Sequence, residues 1–256
     1  MKLILCCMTV FLFLSWTLSA QENPATGRYS RPDSTYRREL HARWAIPVAA
    51  CVTYGMMARF NEQSFRLDRS VGERVNRSIH RRYTVDDYLQ YAPAVVAYGL
   101  DFVPGVTSEH NFRDRTLLFA TSYLIAGVAV GAMKTGISVW RPDGSGDNSF
   151  PSGHTTVAFA GAHLLFKEYR HQSPWIGVGG YAAATTTGVL RVINRKHWVS
   201  DVVTGASIGI LSVEAAYRLL PVWHRLLGIR EDEGRRMTIV PAVGAHRLEI
   251  GWVYVF

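Results

Sequence analysis

The sequence predicts an all-α protein, a bundle of apolar helices in a single domain. At 256 residues, the chain is long enough to bury a sizeable core without a second domain. The core stretch shows neither an internal repeat nor the apolar–polar alternation that is typical of strands. Its apolar segments are rich in Gly, Ala, Ser and Thr, which let helices approach one another closely. These segments are residues 117–133, 155–166, 175–190 and 202–213.

The first twenty residues, 1–20, predict a secretory signal. Lys2 supplies the positive start, residues 3–14 the apolar middle, and a small-residue cleavage site ends at Ala20. The alternative is a membrane anchor that stays uncleaved. A polar, extended lead-in follows over residues 21–43. With the signal removed, Cys51 is the only cysteine left, so an exported protein would have no internal disulfide.

The predicted helical domain spans residues 44–220 and begins with a moderately apolar helix, Trp44–Phe60. Residues 61–82 carry six arginines, among which apolar residues recur near helical spacing. Two interpretations stay open here: an amphipathic helix in a membrane interface, or a solvated surface helix. The next apolar segment, Tyr88–Val106, is interrupted by prolines, whereas residues 117–133 are the clearest candidate for a membrane span.

Six charged or imidazole side chains in three blocks predict the functional site. Three cations, two imidazoles and one carboxylate suit a dianionic phosphate. The cations neutralise its oxygens, one imidazole attacks phosphorus, and the other protonates the leaving oxygen. The blocks are Lys134-x6-Arg141-Pro142, Pro151-Ser152-Gly153-His154 and Arg191-x5-His197-x3-Asp201.

The spacing inside each block has a physical reason. His197 and Asp201 are four residues apart, so on a helix they share a face, where the carboxylate can accept the imidazole N–H and fix the tautomer. Residues 151–154 precede an apolar run, which predicts a loop that leads into a helix N-terminus and seats an anion. Pro142 is expected to stop the apolar segment before it.

Each block alone has an ordinary structural explanation. A lone His197 is more often a satisfied polar residue than a nucleophile, Arg141-Pro142 alone is a helix end, and Pro-Ser-Gly alone is a turn. Three blocks in this order and at these gaps are difficult to obtain by chance. We therefore predict one joint site.

The three blocks resemble the signature of the type 2 phosphatidic acid phosphatase (PAP2) superfamily, which also contains bacterial acid phosphatases and vanadium haloperoxidases. The resemblance covers about residues 90–220 and implies a PAP2/haloperoxidase-like helical bundle. One position departs from the pattern, because Leu190 stands where the family usually has a serine. This departure affects contacts to the phosphate rather than the chemistry.

The resemblance also implies a role for each motif residue. His197 would form a phosphohistidine that Asp201 orients, and His154 would protonate the leaving group and later activate water. No metal and no cofactor would be needed. The phosphate would be held by Lys134, Arg141, Arg191, Ser152 and the Gly153 backbone.

The composition predicts a protein that works at a membrane surface and does not bind nucleic acid. The formal net charge is +8, and export makes anionic lipid the expected partner. A span needs ~20 apolar residues; several segments are shorter, and the mean hydropathy is only +0.03. Two localisations stay open: the inner membrane with a periplasm-facing active site, or a soluble periplasmic bundle. The positive-inside tendency would place the turn with Lys167 and Arg170 in the cytoplasm.

The chain after the bundle, residues 221–256, predicts a polar linker and a C-terminal β-hairpin, because apolar residues alternate from Leu248 to Phe256. The expected function is metal-independent hydrolysis of a lipid phosphate or pyrophosphate. Substrate classes are lipid A, undecaprenyl pyrophosphate and phosphatidylglycerol phosphate. Alternatives are a soluble acid phosphatase and, more remotely, a vanadium haloperoxidase or a non-catalytic lipid-binding protein.

Overall fold

The structure, a computed structural model, describes residues 48, 50–58, 62–78, 83–229, 236–244 and 247–255. The predicted signal and lead-in therefore lie outside the described residues. Within them, the all-α bundle is confirmed. Its helices are α1 (50–58), α2 (Glu62–Ser78), α3 (Asp86–Leu89), α4 (Ala92–Gly99), α5 (Phe112–Gly136), α6 (Gly153–Tyr169), α7 (Pro174–Ile193) and α8 (Val199–Leu226), with a 3₁₀ turn at Leu100–Phe102.

Helix α6 is the centre of the bundle, and α4, α5, α7 and α8 pack around it. Its Leu164 and Tyr169 lie in a buried cluster with Leu118 of α5 and Val213 of α8. Helices α6 and α7 form an antiparallel hairpin that turns at residues 170–173. Both of its open ends therefore lie at one end of the bundle, where α8 also begins.

Small residues bring α6 and α8 close together. A Cβ added at Gly205 would lie 2.5 Å from the Ser152 carbonyl oxygen, and one at Gly209 would lie 2.5 Å from the Thr156 carbonyl oxygen. Such distances leave no room for a side chain, so the glycines let the two backbones touch. This contact fixes the start of α6 against α8.

Two described helices, α5 and α8, are long and apolar enough to cross a membrane. They differ in their surroundings. Most of the apolar stretch of α8 is buried inside the bundle, whereas only a third of that of α5 is buried, and Leu124 and Val128 of α5 are exposed. An apolar face of this kind suits lipid, while the burial of α8 is equally typical of a core helix.

The apolar face of α2 packs on the protein. Val71 and Val75 are buried against Val192 of α7, and the Asp68 carboxylate accepts hydrogen bonds from the backbone N–H and hydroxyl of Ser200. Insertion of this face into lipid, one of the two interpretations left open for residues 61–82, is therefore wrong for Val71 and Val75. The exposed side chains of α2 include Arg66, Arg69, Arg74 and Arg77.

Two helix ends differ from the sequence-based expectation. Helix α5 ends at Gly136, before Pro142, because Ile137 takes an extended backbone conformation. Helix α8 continues through Pro221 to Leu226 instead of ending near residue 220. Leu220, just before the proline, is buried, and beyond the proline His224 Nε2 lies 3.1 Å from Asp114 Oδ1.

The C-terminal residues form two antiparallel strands. Strand β1 covers Arg236–Gly244 and β2 covers Arg247–Val255. They pair from Arg236 opposite Val255 to Gly244 opposite Arg247.

Candidate active site

The predicted site residues lie at the end of the bundle where α5 and α7 end and α6 and α8 begin. Lys134 is in the last turn of α5 and Arg191 in the last turn of α7. Ser152 is the residue before α6, and Asp201 is in the first turn of α8. Because these helix ends share one level, side chains far apart in sequence converge there.

His197 is buried, and its ring orientation is set by the backbone. Its Nδ1 lies 2.7 Å from the Ser149 carbonyl oxygen. Since a carbonyl only accepts, Nδ1 carries the proton and Nε2 keeps its lone pair. This arrangement leaves Nε2 as the ring nitrogen that can attack an electrophile.

Asp201 is not the hydrogen-bond acceptor that we predicted for His197. Its Oδ2 lies 3.6 Å from Nδ1, beyond hydrogen-bonding distance. The same oxygen accepts hydrogen bonds from the Ser149 hydroxyl at 2.5 Å and from the Trp198 N–H at 2.9 Å. Asp201 therefore fixes Ser149, whose carbonyl fixes the ring, and it also contributes a nearby negative charge.

Burial keeps His197 neutral. Removal from water lowers the pKa of His197 from its ordinary value, and the positive charges of Arg191 and Lys134 lower it further, while Asp201 opposes them. A lowered pKa means that the uncharged imidazole predominates at neutral pH. Only that form has a lone pair on Nε2.

The second imidazole, His154, lies in the first turn of α6 and remains partly exposed. Its Nε2 is 3.0 Å from Asp87 Oδ1. Burial and the nearby Arg191 lower the pKa of His154, whereas Asp87 and Asp86 raise it. The two imidazoles thus differ in their partners: a carbonyl holds His197, and a carboxylate holds His154.

The three predicted cations are close enough for their charges to interact. Arg141 and Arg191 both act on the charge of Lys134. Lys134 Nζ donates to the Asn148 carbonyl at 2.5 Å, and Arg141 Nε donates to the Asn148 side-chain oxygen at 3.1 Å. Three like charges held together repel one another, and a dianion such as phosphate would relieve that repulsion.

The Pro-Ser-Gly-His block leads into α6 as predicted, with Gly153 as the first helical residue. The Ser152 N–H donates to the Asp201 carbonyl at 3.1 Å, which ties this block to α8. The Ser152 hydroxyl lies 2.9 Å from the Thr155 hydroxyl. The N-terminus of α6 therefore lies beside the cations, where its N–H groups favour an anion.

Several residues at this site were missed by sequence reasoning. Asn148 and Ser149 contribute backbone carbonyls, for which the sequence carries no signal. Asp86 is buried and accepts a hydrogen bond from Arg191 Nη1 at 2.8 Å. The adjacent pair Asp86-Asp87 at the start of an apolar segment was the one available sequence signal.

No metal centre forms in the part of the chain that the structure describes, because no three His, Cys, Asp or Glu side chains there are grouped to hold an ion. The chemistry available to the described residues is nucleophilic attack by an imidazole, proton transfer by a second imidazole, and charge stabilisation by cations.

Comparisons with known proteins point to one family. The model of the PAP2 superfamily matches residues 115–225. A lipid A 1-phosphatase of Porphyromonas gingivalis is 47% identical over 98 residues, which are 38% of this chain and 22% of the relative. The bacitracin transport permease protein BcrC of Bacillus licheniformis is 31% identical over 99 residues, 38% of this chain and 46% of that protein. The chain thus spans less than half the length of these curated relatives.

Among solved structures, the crystal structure of Aquifex aeolicus LpxE is similar to this chain. The match has a TM-score of 0.43 and 21% sequence identity, and it covers 60% of this chain and 94% of that one.

Proposed function

Because the model of the PAP2 superfamily matches residues 115–225, we propose that this protein is a member of that family, a metal-independent phosphatase that hydrolyses a lipid phosphate or pyrophosphate through a phosphohistidine. The observation that carries the proposal is the state of His197. Its imidazole is buried with a lowered pKa, and its Nδ1 donates to the Ser149 carbonyl, so Nε2 is left to attack near the charges of Arg191 and Lys134.

The mechanism uses each group according to its contacts. Lys134, Arg141 and Arg191 neutralise the phosphate oxygens, with the N-terminus of α6 as a further donor. Nε2 of His197 forms a bond to phosphorus while the bond to the leaving oxygen breaks, and His154 gives that oxygen a proton. Water then attacks phosphorus, the bond to His197 breaks, and His154 receives the water proton.

The lipid nature of the substrate is supported by two features. The chain matches a lipid A 1-phosphatase over 98 residues, and α5 has an exposed apolar face that could lie against lipid. Lipid A, undecaprenyl pyrophosphate and phosphatidylglycerol phosphate remain the candidate classes. We place the active site at the periplasmic face of the inner membrane.

The proposal is tested by phosphate release from purified protein in EDTA. Substrates would be the three lipid classes in detergent micelles and a soluble aryl phosphate. We expect release that survives EDTA and favours one lipid class. Release that requires an added divalent metal, or no release from any substrate, would contradict the proposal.

The exposed arginines of α2 give a prediction about the membrane surface. Their side chains are exposed, whereas Val71 and Val75 are buried, and α2 packs beside the catalytic end through Asp68 and Ser200. Each basic residue near an anionic bilayer contributes about 1 kcal/mol of binding. Replacing Arg66, Arg69, Arg74 and Arg77 by Gln should lower hydrolysis of a lipid phosphate carried in phosphatidylglycerol vesicles at least about tenfold. Hydrolysis of a soluble aryl phosphate should be unchanged.

The control for this prediction uses the same helix. Glu73 is an exposed acidic residue of α2 that lies 3.5 Å from Arg77, so Glu73→Gln should raise activity on the same vesicles. An equal loss on vesicles and on the soluble ester in the arginine variant would show that the arginines do not act through the membrane.

A further inference from the structure

The loop and short helix before α4, residues 83–91, bring two carboxylates to the catalytic end. Asn194, just after α7, anchors this segment. Its side-chain amide donates to the Tyr83 carbonyl at 2.6 Å and to Asp86 Oδ1 at 3.0 Å, and its side-chain oxygen accepts from the Tyr83 N–H at 2.9 Å. Arg191 binds the other Asp86 oxygen at 2.8 Å. The segment is thus held at a fixed place beside the site.

Asp86 and Asp87 have different positions as a result. Asp86 is buried and engaged by Arg191 and Asn194, so it serves to hold the loop and the guanidinium. Asp87 is about half exposed and lies 3.0 Å from His154 Nε2 and 3.4 Å from Arg191 Nη1. Nothing in the proposed chemistry uses Asp87, although it contacts the proposed proton donor.

We propose that Asp87 is a positioning residue for His154, which it holds by Nε2 so that Nδ1 gives a proton to the leaving oxygen. The inference rests on the proposed function. In the first step Nδ1 loses its proton to the leaving oxygen, and the neutral ring keeps its Nε2–H, which donates to Asp87. In the second step Nδ1 takes a proton from the attacking water.

The surroundings of His154 support this assignment. The charged groups that face it are Asp86 and Asp87 from α3 and Arg191 from α7, whereas Lys134 of α5 and Asp201 of α8 act on His197. Arg191 disfavours a proton on His154, and Asp87 is the carboxylate in direct contact to offset it. The described residues provide no hydrogen-bond partner for Nδ1 of His154, which leaves that atom available to a substrate.

The sign of the pH effect follows from this contact. His154 must be protonated to act as an acid, so activity falls as the pH rises through its pKa. The Asp87 charge raises the pKa of His154, and Asp87→Asn removes that charge. The alkaline limb of the kcat/KM profile should therefore move to lower pH in Asp87→Asn.

The experiment compares a series of substituted phenyl phosphates whose phenols differ in acidity. A good leaving group needs little protonation, whereas a poor one depends on the acid. We expect Asp87→Asn to lower kcat about tenfold or more for the least acidic phenols, to leave the most acidic one nearly unchanged, and to shift the alkaline limb downward. Asp87→Glu should restore part of the loss, and Asp147→Asn, a carboxylate that contacts Ser138 instead, should change neither quantity.

Three outcomes would overturn the inference. Equal loss across the series with the alkaline limb in place would mean that Asp87 only supports the fold. A lower KM with a higher kcat/KM would mean that the Asp87 carboxylate competes with phosphate for Arg191. Unchanged kinetics would mean that His154 works without Asp87. Failure of the proposed function itself is recognised separately, as the absence of hydrolysis of even the most reactive aryl phosphate by the unsubstituted protein.

Discussion

His197→Ala is expected to lower phosphate release by at least about 10³-fold for every substrate that the protein hydrolyses, because the nucleophile is lost. The remaining cations and the N-terminus of α6 stay in place, so the variant should still bind inorganic phosphate. The measurement is phosphate release in EDTA, together with phosphate binding by calorimetry. If the variant still binds phosphate but no longer releases it from substrates, His197 acts in the chemical step rather than in phosphate binding.

The matched control is His171→Ala. His171 lies in the turn between α6 and α7, at the opposite end of the bundle, and its Nδ1 is 3.6 Å from a Glu109 oxygen. This variant should keep full activity and the same thermal midpoint. A base-quenched reaction with labelled substrate adds a direct test, since labelled protein should form with the control and not with His197→Ala. Release that persists in His197→Ala would reject the phosphohistidine.

The charged and imidazole residues of the site could be predicted from the sequence, because they recur at short, characteristic spacings. The three blocks placed His197, His154 and three cations at one site, and the helix hairpin explained how they meet. The sequence predicted the wrong hydrogen-bond acceptor for the ring N–H of His197. Its acceptor is the backbone carbonyl of Ser149, 48 residues earlier in the chain, and a backbone carbonyl has no residue-type signature. The side chain of Asp201 acts on that carbonyl through Ser149.

Side-chain contacts between residues far apart in the chain could not be predicted from the sequence either. Asp86 and Asp87 lie more than 100 residues before Arg191, and nothing in local spacing relates them. Helix α2 gives a different case, because its periodicity correctly indicated an apolar face. Periodicity indicates that an apolar face must be buried, but it does not identify the surface that buries it. Here the cover is Val192 of α7 rather than lipid.

The close contact of α6 and α8 leads to the second large effect. We expect Gly205→Ala to lower both activity and stability. Its methyl group would lie 2.5 Å from the Ser152 carbonyl oxygen and 3.1 Å from the Thr156 hydroxyl. The Ser152 carbonyl accepts from the Thr156 N–H at 3.0 Å, so it is fixed by the first turn of α6. Backbone cannot move aside as a flexible side chain can.

The cost should appear in two measurements. Overpacking of this kind lowers the free energy of unfolding by about 1–3 kcal/mol, which thermal unfolding in detergent would detect. Any shift of Ser152 also moves His154, two residues later, and a displacement of ~1 Å at a catalytic group can cost ~10²-fold in rate. We therefore expect at least about a tenfold loss of turnover at temperatures where the variant remains folded.

The control that isolates the close contact is Gly127→Ala on α5. A Cβ at Gly127 meets no atom within 4 Å, and alanine is favoured over glycine inside a helix by up to about 1 kcal/mol. This variant should be as stable as the parent or slightly more so, with unchanged turnover. If Gly205→Ala behaved in the same way, α8 would be free to move relative to α6, and the start of α6 would not be held by that helix. A loss confined to Gly205→Ala would instead show that the active site depends on backbone contact between α6 and α8, a requirement that none of the three sequence blocks contains.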